Sequence, residues 1–312
     1  MILVLRALGV GDLVTGVPAL RALRNAFPGE ELALAAPAWL TPLISLIGGV
    51  DRVLPTDGLG PAAWPIDGPS LAVNLHGSGP ESHRMLLDAG PGKLWGFRSV
   101  AAQHFDGPEW VVEEHEVQRW CRMLAYYGIT ADPADLRLTA PAGPRGLTIV
   151  HPGAKSASRR WPVDRFAAVA RRLREAGHTV VVTGSASERP VAAEVAAQAG
   201  LAASAVPATD LGELAGMVAH ARLVISGDTG ISHVATAYGT PSVTLFGPMS
   251  PAYWGPPPDR PWHQAIWHGT RSERGDLPGD EVHPALLRVG VDEVLTAADV
   301  ATAAAEQRRD AS

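Results

Sequence analysis

The chain has 312 residues, with 26 Lys and Arg against 32 Asp and Glu, and its formal net charge is −6. This length suits two domains of about 150 residues each, and a modest charge without long runs of one sign argues against a nucleic-acid groove. The single cysteine, Cys121, excludes an internal disulfide and a multi-cysteine zinc site. It shares helical spacing with Val117, Trp120 and Leu124, so we expect a core thiol and not a nucleophile.

The N-terminus gives no sign of targeting. Met1 leads directly into an apolar segment, with no basic region and no cleavage site. No apolar run approaches the ~20 residues of a membrane span. We therefore expect a cytoplasmic protein, and peripheral contact with a membrane surface stays open.

Apolar segments alternate with amphipathic ones through the first half. The pattern predicts strands at residues 2–5, 32–35, 52–54, 71–75 and 94–97, and helices at residues 13–27, 39–47, 81–88 and 111–127. The Pro-, Ala- and Gly-rich segment 139–146 is predicted to be a linker.

The same alternation restarts after the linker. Strands are predicted at residues 147–150, 179–183, 223–226 and 242–246, and helices at residues 163–176, 186–199, 211–221, 231–238 and 291–307. Such alternation implies parallel sheets built from right-handed crossover units. We predict an α/β protein of two Rossmann-like parallel-sheet domains, residues 1–143 and 144–312, that face each other across a cleft. Ligands would bind beyond the carboxyl ends of the strands.

A glycine-rich loop follows the first predicted strand. Gly9 and Gly11 resemble the start of a dinucleotide-binding fingerprint, but Val14 occupies the third glycine position and the second strand ends without an acidic residue. A nicotinamide dehydrogenase is therefore disfavoured. Asp12 is either a helix cap worth ~1 kcal/mol or a general base. Pro18 either kinks a helix that begins at Asp12 or lies in the first turn of a later one.

A cationic loop, residues 151–162, connects the first strand and the first helix of the second half. Lys155, Arg159 and two serines could neutralise a diphosphate through guanidinium forks and hydroxyls. The alternative is a solvated loop in which Trp161 and Pro162 pack as an apolar staple at the start of the helix.

Residues 223–233 run from a predicted strand through a tight turn into a helix. This arrangement directs the unpaired N–H groups of the helix towards the carboxyl edge of a sheet, where an anion can bind. Asp228, Thr229 and Gly230 offer a carboxylate, a hydroxyl and bare backbone in that turn. A nucleotide diphosphate sugar would use all three. The alternative is a turn in which Asp228 only caps the helix.

Short sequence blocks occur in a fixed order over roughly residues 1–250. They are Gly11-Asp12 with Pro18-Ala-Leu20, His115-Glu-Val with Trp120 and Gly128-Ile129, His151-Pro-Gly-Ala with Arg159-Arg-Trp-Pro162, Gly227-Asp-Thr-Gly-Ile-Ser-His233, and Gly239-Thr-Pro241 with Leu245-Phe-Gly-Pro248. As a set they resemble glycosyltransferase family 9, the ADP-heptose:lipopolysaccharide heptosyltransferases.

The resemblance implies a GT-B fold, with an N-terminal acceptor domain, a C-terminal nucleotide-sugar domain and a last helix that crosses back to the first domain. It also implies inverting chemistry with Asp12 as the base. The donor-binding residues would be Gly11, Lys155, Arg159, Asp228, Thr229, Gly230 and His233. Arg159 stands where the family commonly has a lysine, so the charge is kept while the geometry changes.

The sequence contains no Asp-x-Asp triplet, which metal-dependent transferases usually carry. We therefore expect no metal site and no cofactor, with the leaving diphosphate stabilised by cations and a helix N-terminus. The expected partners are an ADP-heptose-like donor and a glycan, lipid-linked or small-molecule acceptor, without nucleic acid. The alternatives are a sugar-nucleotide epimerase and a degenerate protein that only binds a nucleotide sugar.

The identity of the acceptor stays open. Four basic residues of the first half could face an anionic acceptor, although each would by default be a solvated surface residue: Arg6, Arg84, Lys93 and Arg98.

Overall fold

The computed structural model describes residues 1–60, 64–66, 68–270, 275, 277 and 280–310. The chain divides into two compact units, Met1–Thr139 and Ala140–Ser312. The linker composition predicted a division at 143/144. Each unit is described by itself below.

The described residues of the first unit form a five-stranded parallel sheet in the order β3-β2-β1-β4-β5. Its elements in chain order are β1 (Ile2–Leu5), α1 (Val10–Thr15), α2 (Val17–Ala26), β2 (Leu32–Ala36), α3 (Thr41–Ile44), β3 (Arg52–Pro55), β4 (Leu71–Asn74), α4 (Glu81–Leu87), β5 (Leu94–Trp95) and α5 (Glu116–Tyr126). The central strands are buried throughout and are apolar except for Asn74 at the end of β4, as parallel strands covered on both faces require. Leu5 pairs with Asn74, so β1 and β4 end side by side.

The helix predicted over residues 13–27 is two helices. The break falls at Gly16, where a Cβ atom would lie 2.9 Å from the side chain of Arg6. Pro18 lies in the first turn of α2, where its missing N–H breaks no helical hydrogen bond. Of the two alternatives for Pro18, the late-starting helix is therefore confirmed.

The prediction of a helix over residues 111–127 is wrong at its start. The helix begins at Glu116, and the Nδ1 atom of His115 accepts a hydrogen bond from the Val117 N–H at 3.3 Å. The preceding segment is not helical because its carbonyl groups accept hydrogen bonds from the guanidinium of Arg119, including those of Val111 and Val112. The helix predicted over residues 39–47 is also shorter, with a 3-10 turn at Ala38–Leu40 before α3.

The described residues of the second unit form a five-stranded parallel sheet in the order β10-β9-β8-β6-β7. Its elements are β6 (Leu147–His151), α6 (Val163–Glu175), β7 (Thr179–Val182), α7 (Arg189–Gln198), α8 (Leu211–Ala219), β8 (Leu223–Gly227), α9 (Gly230–Tyr238), β9 (Ser242–Phe246), α10 (Pro251–Trp254), β10 (His263–Trp267), α11 (Pro284–Leu287) and α12 (Val291–Asp310). Strand β10 is a strand that the sequence analysis did not predict.

Helix α12 packs against α6 and against strands β8, β9 and β10 of its own unit. Val294, Ala298, Ala301 and Ala305 are the residues that it buries. Its predicted crossing to the first unit stays a prediction. Among the residues that the structure describes, no helix combines the length and the apolar character that a bilayer span requires.

Arg6 follows β1 directly and is fully buried. Its guanidinium donates to the backbone carbonyls of Asp12 and Leu75, to Thr15 Oγ1 at 3.1 Å and to Glu116 Oε1 at 3.2 Å. The expectation of a surface position for Arg6 is therefore wrong, because these acceptors surround the charge inside the protein. Arg84, Lys93 and Arg98 are exposed, as expected.

We expect Arg6→Met to lower the free energy of unfolding of the first unit by about 3–5 kcal/mol, because it breaks a buried ion pair. Glu116 keeps Arg119 and Trp120 as donors, while the Leu75 carbonyl loses the guanidinium that donates to it. The matched control is Arg98→Met, since Arg98 forms an exposed ion pair with Glu109 whose side chains are 42% and 73% accessible. This control should cost less than about 1 kcal/mol. Urea denaturation, with hydrogen exchange at the amides of β1 and α5, measures both variants. Equal losses of unfolding free energy in Arg6→Met and Arg98→Met would contradict the structural role of Arg6.

Candidate functional site

Asp12 lies in the first turn of α1, beyond the carboxyl end of β1. Its Oδ2 atom accepts a hydrogen bond from the Gly9 N–H at 3.1 Å. The carboxylate therefore caps the helix from its third position, and not as the N-cap residue. Gly11 precedes it, with a carbonyl that accepts from Thr15 Oγ1 at 3.0 Å. Both Gly11 and Asp12 keep partial access to solvent.

The neighbouring strand β4 ends in a polar network. The Asn74 side chain donates to Ser82 Oγ at 2.9 Å and to His83 Nδ1 at 3.0 Å, and its Oδ1 atom accepts from the His76 N–H at 2.9 Å. The His83 Nε2 atom donates to the Phe97 carbonyl at 2.8 Å. Nδ1 of His83 must therefore be an acceptor, which only the neutral ring provides. Burial lowers the pKa of His83 to about 4.

In the second unit, two of the predicted binding segments lie at one sheet edge. His151 at the end of β6 pairs with Ser226 in β8, so the cationic loop 151–162 and the turn after β8 are neighbours. The Arg159 guanidinium lies 3.8 Å from the buried carboxylate of Asp228, measured from Nη1 to Oδ2. A Cβ atom at Gly227 would lie 3.0 Å from the Arg159 carbonyl, so this position favours glycine. The structure thus brings Arg159 and Asp228 together.

Helix α9 starts directly in this turn. Its N-cap residue is Thr229, whose side chain makes no capping hydrogen bond, and the helix begins at Gly230. The N–H groups of a first helical turn have no partner within the helix, and they carry the positive end of the helix dipole. One turn on, the His233 ring meets the Trp254 ring edge to face at 5.9 Å. Carboxylate, guanidinium and helix start therefore lie together at this edge.

The rest of the cationic loop divides into a solvated part and a packed part. The Lys155 side chain is exposed and makes no hydrogen bond or ion pair with the described residues. Arg160 donates from Nε to the Ala154 carbonyl at 2.8 Å. Trp161 is buried against Phe166 of α6, with the rings perpendicular at 5.0 Å. The predicted apolar staple is confirmed, and it anchors the loop that carries Arg159.

Glu188 is a charged residue of this edge that the sequence analysis missed. Its carboxylate accepts from the Ser185 N–H at 2.9 Å and from Ser185 Oγ at 2.7 Å. Burial would raise the pKa of Glu188, but these hydrogen bonds and the positive charge of Arg160 lower it. A Cβ atom at Gly153 would lie 2.3 Å from the carboxyl carbon, so Gly153 is the residue that makes room for it. The sequence feature that could have revealed a side chain packed here is Gly153, a glycine in a loop beside the sheet edge.

Cys121 is the core thiol that its spacing predicted. It is buried on α5 with Val117 and Leu136. Burial raises the pKa of its thiol to about 12, so it carries no thiolate at neutral pH.

Comparison with known proteins identifies the family. The family model described as glycosyltransferase family 9 (heptosyltransferase) matches residues 84–274. This match covers more than half of the chain and includes the turn after β8. The chain belongs to glycosyltransferase family 9.

Individual members of the family resemble the chain over most of its length. Lipopolysaccharide heptosyltransferase 2 of Escherichia coli is 26% identical over 296 residues, which cover 82% of this chain and 85% of that protein. The solved structure of E. coli ADP-heptose lipopolysaccharide heptosyltransferase II has a TM-score of 0.77 at 21% identity, and covers 98% of this chain and 99% of that one. E. coli heptosyltransferase WaaC with ADP-2-deoxy-2-fluoro heptose has a TM-score of 0.70 at 18% identity, and the match covers 95% of this chain and 98% of that one.

These comparisons confirm three predictions for this family 9 protein. It is a glycosyltransferase, and the resemblance to the family inferred from short blocks is correct. Its two parallel-sheet α/β units have the GT-B fold of the heptosyltransferases.

The neutral His83 makes the first unit sensitive to acid. An unfolded histidine has a pKa of about 6.5, so between that pH and about 4 the unfolded chain binds a proton that folded His83 refuses. The contribution of His83 to stability is complete above about pH 6.5 and is lost as the pH falls towards 4. We expect urea midpoints to decrease over this range, and less steeply in His83→Gln. An NMR titration of the folded protein that gives His83 a pKa near 6.5 would contradict this.

Proposed function

We propose that this glycosyltransferase moves heptose from ADP-heptose to a hydroxyl group of a glycan or lipid-linked acceptor, with inversion at the anomeric carbon and without a metal ion. The observation that carries the proposal is the edge of the second sheet, where Arg159 and the buried carboxylate of Asp228 lie 3.8 Å apart beside the start of α9. The relatives support the choice of sugar, since those described above are heptosyltransferases, one of them solved with an ADP-heptose analogue.

The charges at this edge suit a nucleotide sugar. The Arg159 guanidinium, the N–H groups of the first turn of α9 and the exposed cation of Lys155 stabilise the diphosphate. Gly230 allows the backbone to approach the phosphate closely, and Thr229 adds a hydroxyl group. We assign the carboxylate of Asp228 to hydroxyl groups of the transferred sugar, because a carboxylate repels the diphosphate and accepts hydrogen bonds from a polyol. His233 and Gly11 complete the donor-binding set.

The reaction is a single displacement. Asp12 takes the proton of the acceptor hydroxyl as its oxygen attacks the anomeric carbon of the donor. The bond from that carbon to the β-phosphate oxygen breaks, and its electron pair leaves on ADP. Cations and helix N–H groups stabilise this charge. One displacement inverts the configuration, and the absence of an Asp-x-Asp triplet supports stabilisation without a metal ion.

For the acceptor and the location, the relatives give the first candidates. The E. coli relative is a lipopolysaccharide heptosyltransferase, so we propose the inner core of lipopolysaccharide, deprived of heptose, as the first acceptor to test. A nucleotide-sugar donor is a cytoplasmic metabolite, and we propose the cytoplasmic side of a membrane as the place of action, with peripheral contact through the acceptor.

Nucleotide titrations test the donor site. In calorimetry, we expect ADP to bind more tightly than UDP or GDP. Arg159→Ala should weaken ADP and ADP-heptose alike, by about tenfold to a hundredfold, since a charge-assisted hydrogen bond contributes about 1.5–3 kcal/mol. Arg159→Lys should recover much of this loss. Asp228→Ala should weaken ADP-heptose more than ADP.

The control for these variants is Arg171→Ala, which removes the same charge from an exposed position of α6. It should leave every dissociation constant unchanged. Tighter binding of UDP or GDP would overturn the ADP-sugar assignment, and equal effects of Arg159→Ala and Arg171→Ala would remove Arg159 from the site.

Asp12→Asn tests the base. An asparagine oxygen can still accept from the Gly9 N–H, so the start of α1 keeps its cap while the proton acceptor is lost. We expect turnover to fall by about 10²–10⁴, with little change in the affinity for ADP. The control is Asp88→Asn at the exposed end of α4, which should turn over as the wild type. Turnover of Asp12→Asn near the wild-type rate would leave Asp12 with a structural role only.

A further inference from the structure

His76 is held at the same sheet edge as Asp12. It lies two residues beyond the end of β4, and its N–H donates to Asn74 Oδ1 at 2.9 Å. The residue before it, Leu75, donates from its N–H to the Leu5 carbonyl at 3.1 Å and accepts from the guanidinium of Arg6. The carbonyl of the following residue, Gly77, accepts from the Asn74 side chain at 3.3 Å, so the backbone is held on both sides of His76.

One guanidinium positions both loops. Arg6 donates to the carbonyl of Leu75 and to the carbonyl of Asp12. The strands that precede these loops, β1 and β4, are hydrogen-bonded neighbours. Asp12 uses Oδ2 for the Gly9 N–H, and its Oδ1 atom makes no hydrogen bond with the described residues. The carboxylate thus keeps one oxygen for a substrate.

The imidazole of His76 is the second unengaged group. Its Nδ1 atom is buried without a hydrogen-bond partner, and neither ring nitrogen bonds to another of the residues described. Burial and the positive charge of Arg6 lower the pKa of His76, while the carboxylate of Asp12 opposes them. The neutral ring offers one donor and one acceptor. Since Nδ1 is closed off from solvent, Nε2 is the ring nitrogen through which the half-buried His76 can meet a hydroxyl group of a ligand.

We propose that His76 binds the acceptor through a second hydroxyl group, next to the hydroxyl whose proton Asp12 takes. This inference rests on the proposed function and adds an acceptor-binding residue to it. A polyol acceptor suits Asp12 and His76 together. One of its hydroxyl groups donates to Asp12 Oδ1, while another forms a hydrogen bond with the imidazole of His76. His76 therefore selects acceptors with neighbouring hydroxyl groups.

The test compares His76→Phe, which keeps a ring and removes both nitrogens, with His76→Gln, which keeps a donor and an acceptor. The matched control is His104→Phe, because His104 lies in the same unit and also has a buried ring nitrogen without a hydrogen-bond partner, Nε2. The probes are ADP-heptose labelled in the sugar, with heptose-free lipopolysaccharide core oligosaccharide and with water as acceptors.

With the oligosaccharide, we expect His76→Phe to lower kcat/KM for the acceptor about tenfold or more, mainly through KM, while the KM for ADP-heptose is unchanged. His76→Gln should recover part of the loss, and His104→Phe should behave as the wild type. Hydrolysis by water, which has no second hydroxyl group to bind, should be nearly unaffected. An unchanged acceptor KM in His76→Phe, or an equal loss in His104→Phe, would overturn the proposal. A wild type that uses neither acceptor would refute the proposed function, and this inference with it.

A second measurement needs no turnover. In protein with labelled histidine, NMR titration should give His76 a pKa below that of an ordinary histidine. Asp12→Asn should lower it further, because the opposing negative charge is removed. A His76 pKa that is the same in wild type and Asp12→Asn would contradict the proposal that His76 and Asp12 act side by side on one acceptor, even if the transferase activity is as proposed.

Discussion

The first unit depends on the burial of one positive charge. A guanidinium inside a protein must find acceptors for its N–H groups, since an unpaired buried charge costs several kcal/mol. Arg6 finds them on three segments that are distant in sequence: the loop after β1, the loop after β4 and the start of α5. None of these segments can shift without leaving a donor unsatisfied. The helix turn that carries Asp12 and the loop that carries His76 are therefore held in place by the same buried charge, and a group that must receive a proton at a defined place requires such support.

The second unit positions its charged residues by other means. Trp161 and Phe166 anchor the cationic loop through apolar contact, and Gly153 and Gly227 leave room where a carboxylate and a carbonyl approach the backbone. Arg159 remains 31% accessible at its side chain, and its distance of 3.8 Å to Asp228 is longer than a good hydrogen bond. The first unit thus buries its cation in a hydrogen-bond network, whereas the second holds a partly exposed arginine beside a buried carboxylate.

Sequence reasoning predicted the parts of this molecule that depend on local patterns. Strand β1 is a continuous apolar run, and β8 and β9 are short, mostly apolar runs bounded by turn residues, so their limits were nearly correct. Strand β10 was missed because His263-Gln-Ala-Ile-Trp267 is an edge strand in which polar and apolar residues mix. The helix start before Glu116 was misplaced because Arg119 competes for the carbonyl groups of that segment.

The candidate site residues also divide into those that a local sequence pattern indicates and those that only the folded structure brings together. Asp12, Arg159 and Asp228 were predicted as site residues because each lies in a glycine-containing segment that follows a strand, and these assignments stay predictions. Arg6 was assigned to the surface, since a lone arginine is usually solvated and its partner Glu116 is 110 positions away. His76 carries no local signal at all. Its distinguishing property is a buried nitrogen without a hydrogen-bond partner, on a loop that Arg6 ties to the helix turn of Asp12, and that exists only after β1 and β4 have paired.

Helix α12 has a consequence for synthesis on the ribosome. It covers apolar residues that belong to β8, β9 and β10, yet those strands leave the exit tunnel well before the helix does. During that interval the part of the hydrophobic core that α12 covers stays exposed on the nascent second unit. The unit can complete its core only after residues 291–310 have emerged, so its folding finishes late in translation, and the exposed apolar surface is open to aggregation until then.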